Sequence, residues 1–139
     1  MKFRQASLSI QSRPQHNMII TQAIEDSCRF IEEFDQGLLQ VFLRHTSASL
    51  SINENSDADV RADLTMALDH IAPEDLPYRH ADEGPDDMPA HVKSSLLGVS
   101  VVIPIVKGRL GLGRWQGIYL CEHRRVSHQR EIICSAWGV

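Results

Sequence analysis

Polar and apolar side chains alternate over residues 3–10, the period of a strand with one face toward a core. A turn at Arg13-Pro14-Gln15-His16-Asn17 leads into Met18-Ile19-Ile20. From Thr21 the period changes: Ile24, Cys28 and Ile31 recur at i, i+4, i+7, which predicts a helix, with Gly37 at its end. Leu39 to Leu43 then reads as a strand that delivers the chain to His45, and Ser49 to Ile52 as another. Ser56, with Asp59 three residues on, predicts the cap of a helix whose apolar face is Val60, Leu64, Leu68 and Ile71 and which Pro73 stops.

The pattern breaks between Pro73 and Pro89, where prolines and acidic residues replace large apolar ones, so an irregular loop is expected. Pro89 suits the first turn of a third, short helix closed by Gly98. Val99 to Val106 reads as a largely buried strand whose Pro104 implies an edge or a bulge. A glycine-punctuated strand from Leu110 to Leu120 and a last one from Glu131 to Trp137 complete the chain. Strands dominate both ends and helices the middle. The expected class is α+β: one compact domain over residues 1–139, with an antiparallel or mixed sheet and three helices.

Composition narrows the function classes. The net charge of −4 excludes a generally basic surface for nucleic acid. No apolar run reaches the ~18 residues of a membrane helix, and residues 1–10 lack a signal-peptide core, so a cytoplasmic protein with no membrane partner is expected. Cys28, Cys121 and Cys134 are odd in number, widely spaced and set in apolar stretches, which reads as buried reduced thiols.

Candidate chemistry concentrates in four places. His45 follows a buried-type strand. His80 and His91 bracket a loop with four carboxylates, and imidazoles with a nearby carboxylate suit a divalent metal. Asn53-Glu54-Asn55-Ser56-Asp57 stands before a helix start, where backbone N–H groups attract phosphate and Glu54 can act as a base. Around Gly108 to Gly117 the G-x-G is followed by no helix and is no dinucleotide fingerprint; Lys107, Arg109 and Arg114 offer phosphate partners and Trp115 a stacking face.

Together, several blocks resemble the YjbQ family. They are His45-Thr46-Ser47-Ala48-Ser49, Ile52-Asn53-Glu54-Asn55, the run from Tyr78-Arg79-His80 to Asp86-Asp87-Met88-Pro89-Ala90-His91, Gly113-Arg114-Trp115-Gln116-Gly117-Ile118, and Cys121-Glu122-His123-Arg124. Arg114 departs from the pattern, standing where many relatives carry threonine. The resemblance implies a homotrimer and a histidine cluster able to hold a divalent metal, zinc or magnesium, with His45, His80 and His91 as ligands. It implies catalytic roles for His80, His91, Glu54 and Asp86, and substrate contacts from Asn53, Trp115, Gln116, Glu122 and Arg124, beside which Arg109 and Arg114 are expected as substrate contacts from their charge. The implied reaction is a low-activity, secondary thiamine-phosphate synthesis. Hydroxymethylpyrimidine diphosphate and thiazole phosphate are joined and pyrophosphate is released, so the expected partner is a small phosphorylated metabolite. Two other readings stand beside it: a different reaction, such as metal-assisted hydrolysis, or a non-catalytic metal- or metabolite-binding trimer.

Overall fold

The computed structural model describes residues 1–139 as two antiparallel sheets with three α-helices. In chain order the elements are β1 (Lys2–Gln11), β2 (Asn17–Ile19), α1 (Thr21–Ser27), a 3₁₀ segment (Arg29–Glu33), β3 (Gln36–Leu43), β4 (Ala48–Glu54) and α2 (Ala58–Ile71). There follow α3 (Asp87–Leu97), β5 (Ser100–Val106), β6 (Arg109–Leu110), β7 (Gln116–Glu122) and β8 (Gln129–Gly138). The larger sheet has the order β1-β8-β3-β5-β6 and the smaller β2-β7-β4. Every strand pairing is antiparallel, which settles the antiparallel-or-mixed expectation.

The core lies between the sheets, because strand periodicity sends alternate residues to the same side. Leu39, Val41 and Leu43 of β3, Ile103 and Ile105 of β5, and Ile132, Cys134 and Ala136 of β8 meet Ala48, Leu50, Ile118 and Leu120 of β4 and β7. Ile24, Cys28, Ile31 and Phe34 close one end. Each such large side chain contributes roughly 1.5–3 kcal/mol by leaving water. All three cysteines are buried and free, and no helix is long and apolar enough to cross a membrane.

Four local expectations are corrected. Gly37 ends no helix. It lies inside β3 opposite Gly138, where a Cβ would stand 2.5 Å from the Trp137 carbonyl oxygen, so two strands approach there too closely for a side chain. The α2 cap is Asp57, whose carboxylate accepts the Asp59 N–H at 2.9 Å, rather than Ser56. The helix is also less embedded than its periodicity predicts: Leu68 is buried, but Ile71 is 61% exposed. Finally, the strand expected from Leu110 to Leu120 is broken after β6 and resumes at Gln116. Pro104 is accommodated because β5 meets β6 only at Ile105 and Val106, while its carbonyl still accepts the Gly111 N–H.

The outer face of the larger sheet has no covering layer. The register aligns Phe3, Trp137, Leu38 and Pro104 in one row and Ser7, Ile133 and Phe42 in another. Phe3, Leu38, Phe42, Val102 and Val106 are all exposed there.

Candidate metal centre

The connection after α2 folds back over the start of α3, and this brings His80 to Asp87. Asp87 and His91 are four residues apart on α3, so they share one helical face. Asp87 Oδ2 lies 2.5 Å from His80 Nε2 and 3.1 Å from His91 Nε2, and the two rings are 5.4 Å apart between centroids. One ligand atom from each of the three residues falls within 4.8 Å of the others.

Surrounding groups fix this geometry. Arg124, just past β7, donates Nη1–H to Asp87 Oδ1 at 2.7 Å, Nε–H to Asp86 Oδ2 at 2.9 Å and Nη2–H to the Glu83 carbonyl at 3.0 Å. Asp86 also accepts the Arg125 backbone N–H. Burial alone would raise both carboxyls. For Asp86 the Arg124 and Arg125 hydrogen bonds, and for Asp87 the bond from His80 with the charges of His91 and Arg124, outweigh it and hold both below the usual range. The His80 imidazole is raised, chiefly by its hydrogen bond to Asp87.

The tautomer of His91 is decisive. Its Nδ1 lies 2.7 Å from the Thr46 carbonyl oxygen, which can only accept, so Nδ1 carries the proton. Nε2 faces the Asp87 carboxylate at 3.1 Å, a contact that either a proton on Nε2 or a bound cation completes. A backbone carbonyl that takes the Nδ1 proton orients a histidine as it does around bound metal, where Nε2 is the ligand atom. Two imidazoles with one carboxylate suit zinc with positions left open; magnesium, which takes oxygen ligands, fits this donor set less well.

His45 is outside this set, and Asp87 takes its place. His45 Nε2 accepts the Glu131 N–H at 2.7 Å, while burial, then Arg130, lowers its pKa. It still shares a cavity of about 650 Å³ with Phe42, Arg44, Thr46, His91 and Ser95. Asp86 serves Arg124 and stands one residue from the ligand position. Glu122 is a buried anchor rather than a substrate contact: it holds Arg130 through Nε at 2.8 Å and Nη2 at 2.5 Å, and accepts from Ser12 Oγ at 2.5 Å.

The remaining candidates lie apart from the cluster. Asn53 Oδ1 accepts the Glu54 N–H, and Glu54 Oε2 is buried without a partner. Gln116 Oε1 accepts the Gly113 N–H. Arg114 stacks 4.9 Å over the Trp115 ring, which is 56% exposed, and Arg109 borders a separate cavity of about 340 Å³ with Glu32 and Arg29.

One buried group escaped the sequence reading as a functional element. His123 accepts or donates at 2.8 Å to Ser49 Oγ, and burial, then Lys93, depresses its pKa to about 4. The unfolded imidazole takes up a proton near 6.5, so the unfolded state binds the proton first. Stability is therefore expected to fall by about 3 kcal/mol as pH drops from 6.5 to 4. Urea unfolding across that range should show the slope, and His123→Gln should flatten it; an equal slope in the variant would exclude His123 as its source.

Comparison with known proteins adds the following. The family model described as "UPF0047 protein YjbQ-like" matches residues 6–139. The UPF0047 protein YjbQ of Salmonella typhimurium is 44% identical over 134 residues, covering 96% of this chain and 97% of its own. A UPF0047 protein of Synechocystis is 57% identical over 103 residues, covering 73% and 70% respectively. Among solved structures, a YjbQ/UPF0047 family protein from Clostridium acetobutylicum superposes with a TM-score of 0.82 at 32% identity, over 92% of this chain and 96% of that one. A Sulfolobus solfataricus protein reaches 0.86 at 22% identity over 99% of both chains, a likeness of fold.

Proposed function

The chain belongs to the YjbQ-like UPF0047 family, and on that premise we propose that it is a cytoplasmic, divalent-metal enzyme of small phosphorylated metabolites. Its proposed reaction is the low-activity thiamine-phosphate synthase-type transfer. The observation that carries the metal-enzyme reading is the convergence of His80, Asp87 and His91, with one ligand atom from each within 4.8 Å of the others. The choice of reaction rests on the sequence resemblance.

In that reaction the bond between the pyrimidine methylene carbon and the diphosphate oxygen breaks. The electron pair leaves with pyrophosphate, and the thiazole nitrogen forms the new bond to carbon. When bound, a divalent ion supplies positive charge for the departing diphosphate oxygens. The chain's own residues bind and orient. Arg44 borders the same cavity as His91 and can hold a phosphate, Phe42 and Val99 supply apolar wall, and Thr46 and Arg124 keep His91 and Asp87 in place.

Metal-assisted hydrolysis is the second reading. Three protein ligands with an exposed His80 leave room for water, which favours it over a closed structural site.

The assembly belongs to the same proposal. The exposed Phe3, Leu38, Phe42, Val102 and Val106 form an apolar sheet face of the kind that copies of a chain cover in closed oligomers, and we take the homotrimer as its occupant. Phe42 belongs to this face and to the His91 cavity, so a neighbouring copy would border the site.

High-level expression is expected to restore thiamine-free growth to a host lacking its own synthase, and His80→Ala is expected to abolish that rescue. The purified variant should still scatter light as three times 15.7 kDa. A soluble trimer that rescues at no expression level would overturn the transferase reading. Turnover of a phosphate ester, lost in His80→Ala, would then support hydrolysis.

A further inference from the structure

The groove between α2 and the turn that precedes β2 is built for an anion. Its volume is about 700 Å³, within the range of small-molecule sites. Arg13 and His16 come from the turn and Arg61 from α2, and no carboxylate lines it, although the chain carries a net charge of −4. The protein's other arginine ion pairs engage Arg4, Arg29, Arg124, Arg125 and Arg130, and neither Arg13 nor Arg61 joins one.

Two further features describe the walls of the groove. Arg61 lies beside the Tyr119 hydroxyl, yet its Nη1 is buried and finds no acceptor in the chain. Glu54, the nearby carboxylate that also acts on Tyr119, makes no ion pair with it. Nη1 is closed to solvent on the Tyr119 side, so a ligand in the groove would meet Arg61 through the part of its side chain that lines the cavity. The turn also carries strain: Gln15 adopts φ +49, a left-handed conformation that a non-glycine residue holds only where its surroundings impose it. Arg13, Gln15 and His16 all line the groove. His16 commits Nδ1–H to the Pro14 carbonyl at 2.7 Å, which leaves Nε2 as its free nitrogen.

We propose that the Arg13–His16–Arg61 groove is a second binding site, for a phosphate monoester with a small apolar body. The phosphate is held by the two guanidinium groups, which match its oxygens through several N–H donors each. Met18, Ile19 and Ala62 receive the apolar part. The groove shares no residue with the His80–Asp87–His91 cluster, so this site stands or falls independently of the proposed reaction.

Titration calorimetry of the full chain with phenyl phosphate, inorganic phosphate and phenol tests the site. Phenyl phosphate should bind more tightly than inorganic phosphate, inorganic phosphate should compete with it, and phenol should bind least. Arg13→Gln and Arg61→Gln should each weaken phenyl phosphate about tenfold or more, as loss of a charge-assisted contact does. Ala62→Trp, which fills the groove and keeps its charge, should weaken phenyl phosphate more than inorganic phosphate. Asp87→Asn should leave the Arg13-dependent part of the binding unchanged. Arg13 is exposed, so its variant keeps the fold even if Arg61→Gln does not. Binding that survives Arg13→Gln and is lost in Asp87→Asn would place the phosphate at the histidine cluster and overturn the proposal. So would absence of binding at about 10 mM phenyl phosphate.

Discussion

Glu122→Ala is expected to destabilise the protein by about 3–5 kcal/mol, the usual cost of removing one partner of a buried ion pair. The Glu122 side chain is wholly buried and that of Arg130 is 4% exposed. Burial alone would raise the Glu122 carboxyl, but Arg130, the Ser12 hydroxyl and the Arg124 N–H outweigh it and hold it below its ordinary range. Removing the carboxylate strands the Arg130 charge, whose remaining acceptors are the Ser47 carbonyl and hydroxyl oxygens. It also frees the Arg124 backbone N–H, which Glu122 Oε2 accepts at 3.1 Å. A paired substitution, Glu122→Leu with Arg130→Leu, should recover part of the loss because no charge is left unpaired. Ser12 and the Arg124 N–H would still lack their acceptor, so recovery should be incomplete. Urea unfolding at neutral pH measures all three proteins. A single variant within about 1 kcal/mol of the parent would mean that water replaces the carboxylate and that the pair is not structural.

This pair also links fold to site. Glu122 ends β7 and sets the backbone of Arg124, whose side chain grips both Asp86 and Asp87. The order runs from a buried carboxylate, through one backbone N–H, to a guanidinium and then to the carboxylate between the two histidines. Glu122 and Arg124 are therefore tied to the candidate site as positioning residues.

The legible parts of the fold were those governed by local period. The alternation of residues 3–10 became β1, and Ile24, Cys28 and Ile31 are buried together, although the helix expected across them ends at Ser27 and a 3₁₀ segment carries Ile31. Pro89 in the first turn of α3 and Gly98 with φ +92 at its end follow from backbone chemistry alone. What local pattern could not reveal was register. His45 entered the ligand set through the family resemblance, not through its place after a strand. The pairing of Leu43 with Ile132 brings the Glu131 N–H to its Nε2 instead. Arg13 and Arg61 meet at one groove only because α2 stands over the segment leading into β2. Asp87 is different, since its signal was present: four residues before His91 on one helix is a ligand-pair spacing. It was hidden because the helix was expected to begin at Pro89, which left Asp87 in the loop.

The presence of Asp87, and not His45, beside His80 and His91 makes the proposed metal centre directly testable. Protein purified without chelator is expected to carry zinc, and Asp87→Asn or His91→Ala to lose it, while His45→Gln keeps it. Asparagine preserves the shape of Asp87 but removes the charge that faces both Nε2 atoms, so the loss would report electrostatics and not packing. Arg124→Gln should weaken binding about 10- to 100-fold without abolishing it, as loss of an outer hydrogen-bonding partner does. The pH dependence follows from the protons that compete. The His80 pKa is raised by Asp87, so in the metal-free protein a proton holds that nitrogen to higher pH than in an ordinary histidine. Affinity should accordingly fall as pH drops through the imidazole range. Atomic emission after dialysis at two pH values, with circular dichroism to confirm folding, reads every variant. Parent-level zinc in folded Asp87→Asn would remove Asp87 from the ligand set. Zinc lost from folded His45→Gln would return His45 to it, with the Glu131 contact giving way when metal binds.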